Sequence, residues 1–387
     1  MKFEILTKEF KTLTEKATTC ILKKAPVADL TRICLNVTEK GMLEVKAANM
    51  EHYIIITSGL VFGTEPGSCI IDNEDLKVIN KLPGMVAVTK EESKLIFDNG
   101  KKKLSIPCYD TYEINFPELK KDETSHVIDM TETWMLETLT KLDIFTPHEY
   151  KNIAMECFNF NTKKNRIEAL DGCRIGLRTL NSCNIGEEKQ EMKYMLSNKC
   201  VPVFKKVLDK KSDKLITYET DGKYNKITGN NFTYYSKCVD VACYFKIEDI
   251  LNCDAEYSCI VNRENLMEIA KYNKDLIISK EDKKPMVLKC KNNTLYSYMR
   301  TSRYETLDIV ETKDFDVKEG FAIAFNPVFM FEGLNIMEKE DAKIELKHSK
   351  APALVTCGEY QYLLLPINLN VAGEISRIEE RINKLIA

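Results

Sequence analysis

Histidines, cysteines, acidic clusters and glycine loops are where this chain could do covalent chemistry, and their spacing argues against most of it. The four histidines, His52, His126, His148 and His348, stand alone, with no H-E-x-x-H or comparable ligand spacing for a metal. Fourteen cysteines run from Cys20 to Cys357 without one C-x-x-C pair, several in strand-like runs such as Val241-Ala242-Cys243 and Cys259-Ile260-Val261. Reduced thiols in a cytosolic protein are the expected state. The nearest approach to a phosphate-binding loop, Gly63-Thr64-Glu65-Pro66-Gly67, lacks the lysine that would reach a phosphate. Asp72, Glu74 and Asp75 open a helix, where they oppose the positive end of its dipole. No metal and no cofactor is expected. One catalytic reading stays open: a cysteine-dependent cytosolic enzyme on a repeated scaffold, its histidine partner coming from elsewhere in the chain.

Lysine offers a different, non-covalent chemistry. From Lys8 to Lys24 there are Lys8, Lys11, Lys16, Lys23 and Lys24 against Glu9 and Glu15; from Lys199 to Lys211 there are Lys199, Lys205, Lys206, Lys210 and Lys211 against Asp209. The chain carries 56 Lys plus Arg and 59 Asp plus Glu, net −3, so attraction to a polyanion has to be local. One such stripe reads as a solvated helix face. Two of them fit coordinated phosphate contact, which is sequence-independent and salt-sensitive.

The elements that position these residues recur along the chain. Leu82, Leu208 and Leu334 each close an amphipathic helix, at equal intervals of 126 residues. Upstream, a short strand (Lys2-Phe3-Glu4-Ile5, His126-Val127-Ile128, Tyr257-Ser258-Cys259-Ile260-Val261) leads into a helix with an i,i+3 apolar pair: Phe10/Leu13, Leu136/Leu139, Leu266/Ile269. Between the helices lie β-branched and aromatic runs such as 31–37, 52–56, 94–97 and 231–235, with turn signals at Asn99-Gly100 and Asp221-Gly222. A period this long makes each copy a domain rather than a solenoid turn. The expected fold class is α+β: three tandem similar domains, 1–124, 125–252 and 253–370, with helices on one face of antiparallel sheets. The boundaries fall in polar stretches near 120–124 and 252–254. The N-terminus has no signal-peptide core and no 18-residue apolar run occurs, so a soluble, intracellular protein without a membrane partner is expected.

Three stretches carry a resemblance. Leu170-Asp171-Gly172-Cys173-Arg174-Ile175, Phe325-Asn326-Pro327-Val328-Phe329 and Tyr362-Leu363-Leu364-Leu365-Pro366-Ile367-Asn368-Leu369, with the opening Met1-Lys2-Phe3 and Leu82-Pro83, resemble the bacterial sliding clamp, the β subunit of DNA polymerase III. The likeness extends in order and spacing over residues 1 to 369. It implies the DNA clamp fold: three domains per chain, two helices of each lining a ring with sheets outside, closed by a head-to-tail homodimer. It implies a cytoplasmic, non-catalytic processivity factor of a DNA polymerase holoenzyme that encircles duplex DNA without reading sequence. Lys8, Lys11, Lys23, Lys24, Lys151, Lys199, Lys205 and Lys206 would face DNA. Replicative polymerase, clamp loader, and repair polymerases and ligase-type proteins would insert short apolar motifs into a cleft. Its walls would be Ile153, Leu170, Gly172, Cys173, Arg174 and Ile175 on one side, Asn326, Phe329, Leu365, Pro366 and Ile367 on the other.

The departures from that family are local. Cys173, Leu365 and Asn368 replace a common histidine, methionine and arginine, Asn73 stands where a basic residue is common, and 241–245 lacks the usual G-R-F-P-like pattern. Beyond Leu369, where the family usually stops, residues 371–387 form an amphipathic extension. Val371, Ile375, Ile378, Ile382 and Leu385 step by four and three, a heptad seam of about two repeats. Two placements are open for it: beside the cleft, competing with partner peptides, or on the outer surface of its own last domain.

Overall fold

The computed structural model describes residues 1–110, 112–120, 125–147, 152–186, 194–239, 244–251, 254–279, 284–368 and 372–386. Lys151, residues 241–243, and most of the expected domain boundaries (121–124 and 252–253) lie outside the described residues. Close contacts divide the chain into two compact units, Met1–Thr140 with Ser182–Asp240, and Lys141–Asn181 with Val241–Ala387. The middle third of the sequence therefore contributes to both. Helices are α1 (Thr7–Ala17), α2 (Leu76–Ile79), α3 (Glu132–Leu142), α4 (Val201–Val207), α5 (Glu248–Leu251), α6 (Arg263–Asp275), α7 (Pro327–Asn335) and α8 (Ala372–Ile386).

All strand pairing described is antiparallel. In the first unit, sheet I runs β5 (Phe62–Glu65), β1 (Lys2–Leu6), β7 (Met85–Glu91), β8 (Lys94–Asp98), β9 (Lys103–Pro107). Sheet II runs β14 (Asn184–Ile185), β10 (Ser125–Thr131), β16 (Leu215–Thr220), β17 (Tyr224–Thr228), β18 (Phe232–Lys237), β4 (His52–Leu60), β3 (Met42–Ala48), β2 (Arg32–Val37), β6 (Gly67–Asp72), and β15 (Tyr194–Ser197) belongs to the same unit. In the second unit, sheet III contains β11 (Cys157–Asn161), β12 (Arg166–Leu170), β13 (Arg174–Thr179), β27 (Tyr360–Leu364), β26 (Ala353–Cys357), β25 (Asp341–Leu346), β19 (Tyr257–Asn262) and β23 (Thr312–Asp316) in that order. Sheet IV runs β22 (Glu305–Val310), β21 (Thr294–Arg300), β20 (Met286–Lys291), β24 (Ala322–Phe325).

The expected patterns produce these elements by ordinary burial. In β1, Phe3 and Ile5 turn inward and are almost fully covered while Leu6 is half exposed, the period of two that a strand imposes. Phe10, Leu13 and Ala17 form the buried stripe of α1, and the Phe10 ring meets Phe97 of β8 edge-on at 5.7 Å. Each apolar side chain buried this way contributes about 1.5–3 kcal/mol. The pairs Leu136/Leu139 and Leu266/Ile269 are buried on α3 and α6 in the same manner. Gly100 and Gly222 take φ of 80° and 78° in their turns, where a Cβ would be strained. The three periodic leucines are buried, but only Leu334 lies inside its helix. Leu82 and Leu208 follow the ends of α2 and α4 and anchor the exit of the chain.

Sheets I and IV each have one face on a helix and one face away from it, and the faces away from the helix differ. In sheet I that face carries Leu6, Met85 and Phe62, brought together by the registers Leu6↔Met85 and Glu4↔Phe62; they are 49%, 44% and 69% exposed. In sheet IV the corresponding face carries Val287, Lys289, Tyr296 and Tyr298, in register as Lys289↔Tyr296 and Val287↔Tyr298, and all four are buried. Helix α8 covers it. Lys289 Nζ, its side chain 3% exposed, donates to Glu379 at 2.6 Å and to the Gly320 carbonyl at 2.7 Å. The Arg381 guanidinium forks onto both carboxylate oxygens of Glu305, with Nε to Oε1 at 2.8 Å, and Ile382 is fully buried. Of the two placements open for the extension, the described residues lie against sheet IV, on the face away from α6.

Candidate functional site

The segment Leu170-Asp171-Gly172-Cys173-Arg174 is the β12–β13 hairpin turn, and the turn explains its composition. Gly172 has φ +83°, the left-handed region that favours glycine. Asp171 Oδ1 accepts from the amides of Cys173 at 3.0 Å and Arg174 at 3.1 Å, and its Oδ2 accepts from Arg174 Nε at 2.8 Å. The aspartate thus closes the turn and aims the arginine. Arg174 is buried and stitches three elements. Beyond Asp171 it donates to Glu332 of α7 and, at 2.8 Å, to the Ile144 carbonyl, and its guanidinium lies 4.2 Å from the Phe329 ring centroid. Burial alone would lower its pKa, but the hydrogen bonds to Asp171 and Glu332 outweigh that and raise it, so the cation is permanent.

Two glycines permit the close packing behind this wall. A Cβ on Gly176 of β13 would stand 2.2 Å from the Phe145 ring, and one on Gly333 of α7 would stand 2.1 Å from Tyr362. The Tyr362 hydroxyl donates to the Phe329 carbonyl at 2.9 Å. Asn326 caps α7 through Oδ1, which accepts from the Val328 amide at 3.0 Å, with Pro327 in the first turn.

The two expected walls meet through backbone. Strand β13 pairs with β27 as Arg174↔Leu364 and Ile175↔Leu363, and the Leu365 amide continues the ladder to the Cys173 carbonyl at 3.1 Å. Leu170 and Ile175 are buried in one apolar cluster with Met155, Leu177, Ile247 and Leu363, flanked by Tyr244, Leu251 and Leu354. Ile153, Leu365 and Ile367 are 61%, 41% and 40% exposed; Gly172 and Cys173 are exposed, while Asn326, Phe329 and Pro366 are half-buried. The arrangement is an apolar surface with an apolar floor, able to accept aliphatic or aromatic side chains. Sequence reasoning missed Ile247, Met155, Leu363 and Tyr244. Their signal was apolar character alone, indistinguishable from core. Ile367 is held separately: its amide donates to the Ala324 carbonyl of β24 at 2.7 Å.

Of the expected basic positions, Lys8 and Lys11 on α1, Lys23 and Lys24 after it, and Lys205 and Lys206 on α4 are exposed. Lys16 Nζ donates to the Val207 carbonyl at 3.3 Å, so the α1 and α4 stripes are neighbours. Lys199 is exposed but paired with Glu51 at 2.8 Å. Lys11 lies 3.8 Å from Glu15, an exposed pair of little energetic weight. The acidic helix start has a partner that the sequence did not reveal: Asp72 accepts from Arg32 Nε at 2.8 Å.

Burial pushes thiols away from nucleophilic character: Cys20 and Cys259 rise to about 12 and Cys34 and Cys238 to about 11. Such thiols stay protonated at neutral pH. Among the described residues no group of three or more histidine, cysteine or acidic side chains is placed to hold a metal ion, and no helix is long and apolar enough to cross a membrane.

No family model and no curated protein matches this sequence. Solved structures do match. The DNA polymerase sliding clamp of Bacillus subtilis superposes with a TM-score of 0.85 at 16% identity, covering 95% of this chain and 99% of that one. The beta subunit of Streptococcus pyogenes DNA polymerase gives 0.81 at 15% identity over 95% and 100%. The DNA polymerase III beta subunit of Thermotoga maritima gives 0.77 at 20% identity over 95% and 99%. The chain has the sliding-clamp fold along essentially its whole length.

Proposed function

We propose that this chain is a sliding clamp, a non-catalytic processivity factor that closes as a homodimeric ring around duplex DNA and tethers polymerase, clamp loader and repair proteins. The observation that carries this reading is the fold, which matches solved clamps over 95% of the chain. On this reading, residues 1–124, 125–252 and 253–370 are three clamp domains, each supplying a helix pair: α1 with α2, α3 with α4, α6 with α7.

Ring closure needs two complementary sheet edges. Strand β9 ends sheet I and β22 ends sheet IV, and the side chains of Ile309 on β22, Tyr272 on α6 and Ile278 just after α6 are 60%, 59% and 65% exposed. Head-to-tail pairing of β9 with the partner's β22 satisfies both backbone edges. The lysines on α1 and α4 face phosphates without reading bases, and their small number leaves the ring free to slide. Partner peptides dock on Ile153, Ile175, Leu365 and Ile367, with Gly172, Cys173, Asn326, Phe329 and Pro366 around them and Leu170 and Arg174 as fixed backing. Burying two or three apolar side chains at about 1.5–3 kcal/mol each, less the cost of ordering the peptide, gives micromolar binding at best.

The test is retention on circular DNA, nicked to admit a loader, before and after linearisation. Retention on circles with loss through linear ends is expected. Equal retention on both overturns enclosure in favour of ordinary electrostatic attachment.

A further inference from the structure

We infer that α8 is a strap that sets the position of the Leu365–Ile367 wall, so that the docking of the tail and the shape of the apolar surface are one coupled equilibrium. The wall is a short bridge between two anchors. On one side β27 is held in sheet III and passes its ladder to the Leu365 amide. On the other side four residues, 368–371, separate Ile367 from the start of α8 at Ala372.

Sheet IV is the common ground. Strand β24 gives Ile367 its only described backbone bond, Ile367 amide to Ala324 carbonyl, and β24 pairs with β20 as Val287↔Ala324 and Lys289↔Ala322. Strand β20 in turn provides Lys289, the cation that grips Glu379 of α8. The far edge strand, β22, provides Glu305, which grips Arg381. Whatever releases α8 therefore removes the attachment beyond Ile367, and among the described residues the Ile367 amide to Ala324 carbonyl is the one backbone hydrogen bond that holds the wall past Leu365. Conversely, a peptide that packs on Leu365 and Ile367 holds the base of α8 in place. Coupling of this kind is reciprocal by thermodynamic necessity. It gives the tail the opposite effect from competition: the docked strap favours peptide binding.

The peptide half of this inference rests on the proposed clamp function, whereas the backbone half does not, and the experiment separates them. In the full chain, Ile382→Asp places a charge where the side chain has no exposure and so releases α8. Arg381→Glu sets two carboxylates against each other, and Glu305→Arg combined with Arg381→Glu restores the pair with its signs exchanged. Hydrogen exchange reads the Ile367 amide, and fluorescence anisotropy reads a labelled hexapeptide containing two leucines and a phenylalanine.

Ile382→Asp is expected to speed exchange at Ile367 by about tenfold or more, a local opening, and to weaken the peptide by about tenfold through lost preorganisation. Arg381→Glu moves both in the same direction by less, and the exchanged pair returns both toward the native values. Unchanged exchange at Ile367 on release of α8 overturns the strap, and tighter peptide binding on release overturns it in favour of competition. If exchange at Ile367 accelerates while the native chain binds no peptide, the strap stands and the peptide surface fails.

Discussion

Sheets I and IV begin from the same plan, a small antiparallel sheet with a helix beneath it, and end with opposite outer faces. Sheet I leaves Leu6, Phe62 and Met85 in solvent. Sheet IV presents two tyrosines, a valine and a lysine and buries all of them under α8. The difference teaches that burial on the outer face of sheet IV is conditional, because it lasts only while α8 is docked. A lysine can occupy such a place only because its cation has a carboxylate and a carbonyl within 2.7 Å; an unpaired buried charge would cost several kcal/mol.

The comparison breaks most sharply at Glu379. Glu379→Ala leaves Lys289 without its carboxylate, and chemical denaturation of the second unit should register a loss of about 3 kcal/mol, limited by the option of releasing α8 to hydrate the ammonium. Ile382→Ala removes the buried apolar contact of the strap, and a loss of about 2 kcal/mol is expected in the same measurement. On sheet I, Phe62→Ser and Leu6→Ala should each change stability by less than about 1 kcal/mol, because those side chains are 69% and 49% exposed. A large loss at Leu6 or Phe62 would mean that the face is covered in solution and would erase the contrast.

Acid separates the two units as well. In the first unit, burial lowers the His52 imidazole from 6.5 to about 4, and its Nδ1 lies 2.5 Å from the Tyr234 hydroxyl. The unfolded chain takes up that proton first, so stability should be full above pH 6.5 and fall as pH drops toward about 4. In the second unit, the hydrogen bond from Arg381, joined by that from Tyr298, holds Glu305 down from 4.5 to about 2. Its contribution should be full above pH 4.5 and fade only as pH falls toward about 2. Urea titrations from pH 7 to 3 should show a His52-dependent loss, removed by His52→Gln, before the strap responds.

Much of the architecture was legible in the sequence because it is local. The alternation in Lys2-Phe3-Glu4-Ile5 and the i,i+3 pairs of α1, α3 and α6 specify one buried face whatever the neighbours are. Gly100 and Gly222 mark turns by a backbone requirement that few other residues meet. The cleft residues were named only through the resemblance, and the structure explains local features around them: Asp171 closes its turn and aims Arg174, while Gly333 lets α7 lie against Tyr362. Ile247, Met155 and Leu363 were not legible, since an apolar residue under a surface has the same composition as one in a core. Nor was the role of Arg174 as a bracket to Glu332, 158 residues further along the chain and so more than one repeat away. The tail was readable as amphipathic, but the seat of its seam depended on a lysine and a glutamate elsewhere in the chain that have no periodicity to betray them.

Lys289 also leaves a mark that can be followed through descent. A strand lysine with a fully covered side chain is tolerable only beside its tail glutamate, so the two positions should change together. Relatives that end before α8 should carry an uncharged residue where Lys289 stands, and those that keep the lysine should keep an acid one turn before the residue corresponding to Ile382. The pair would then date the acquisition of the tail.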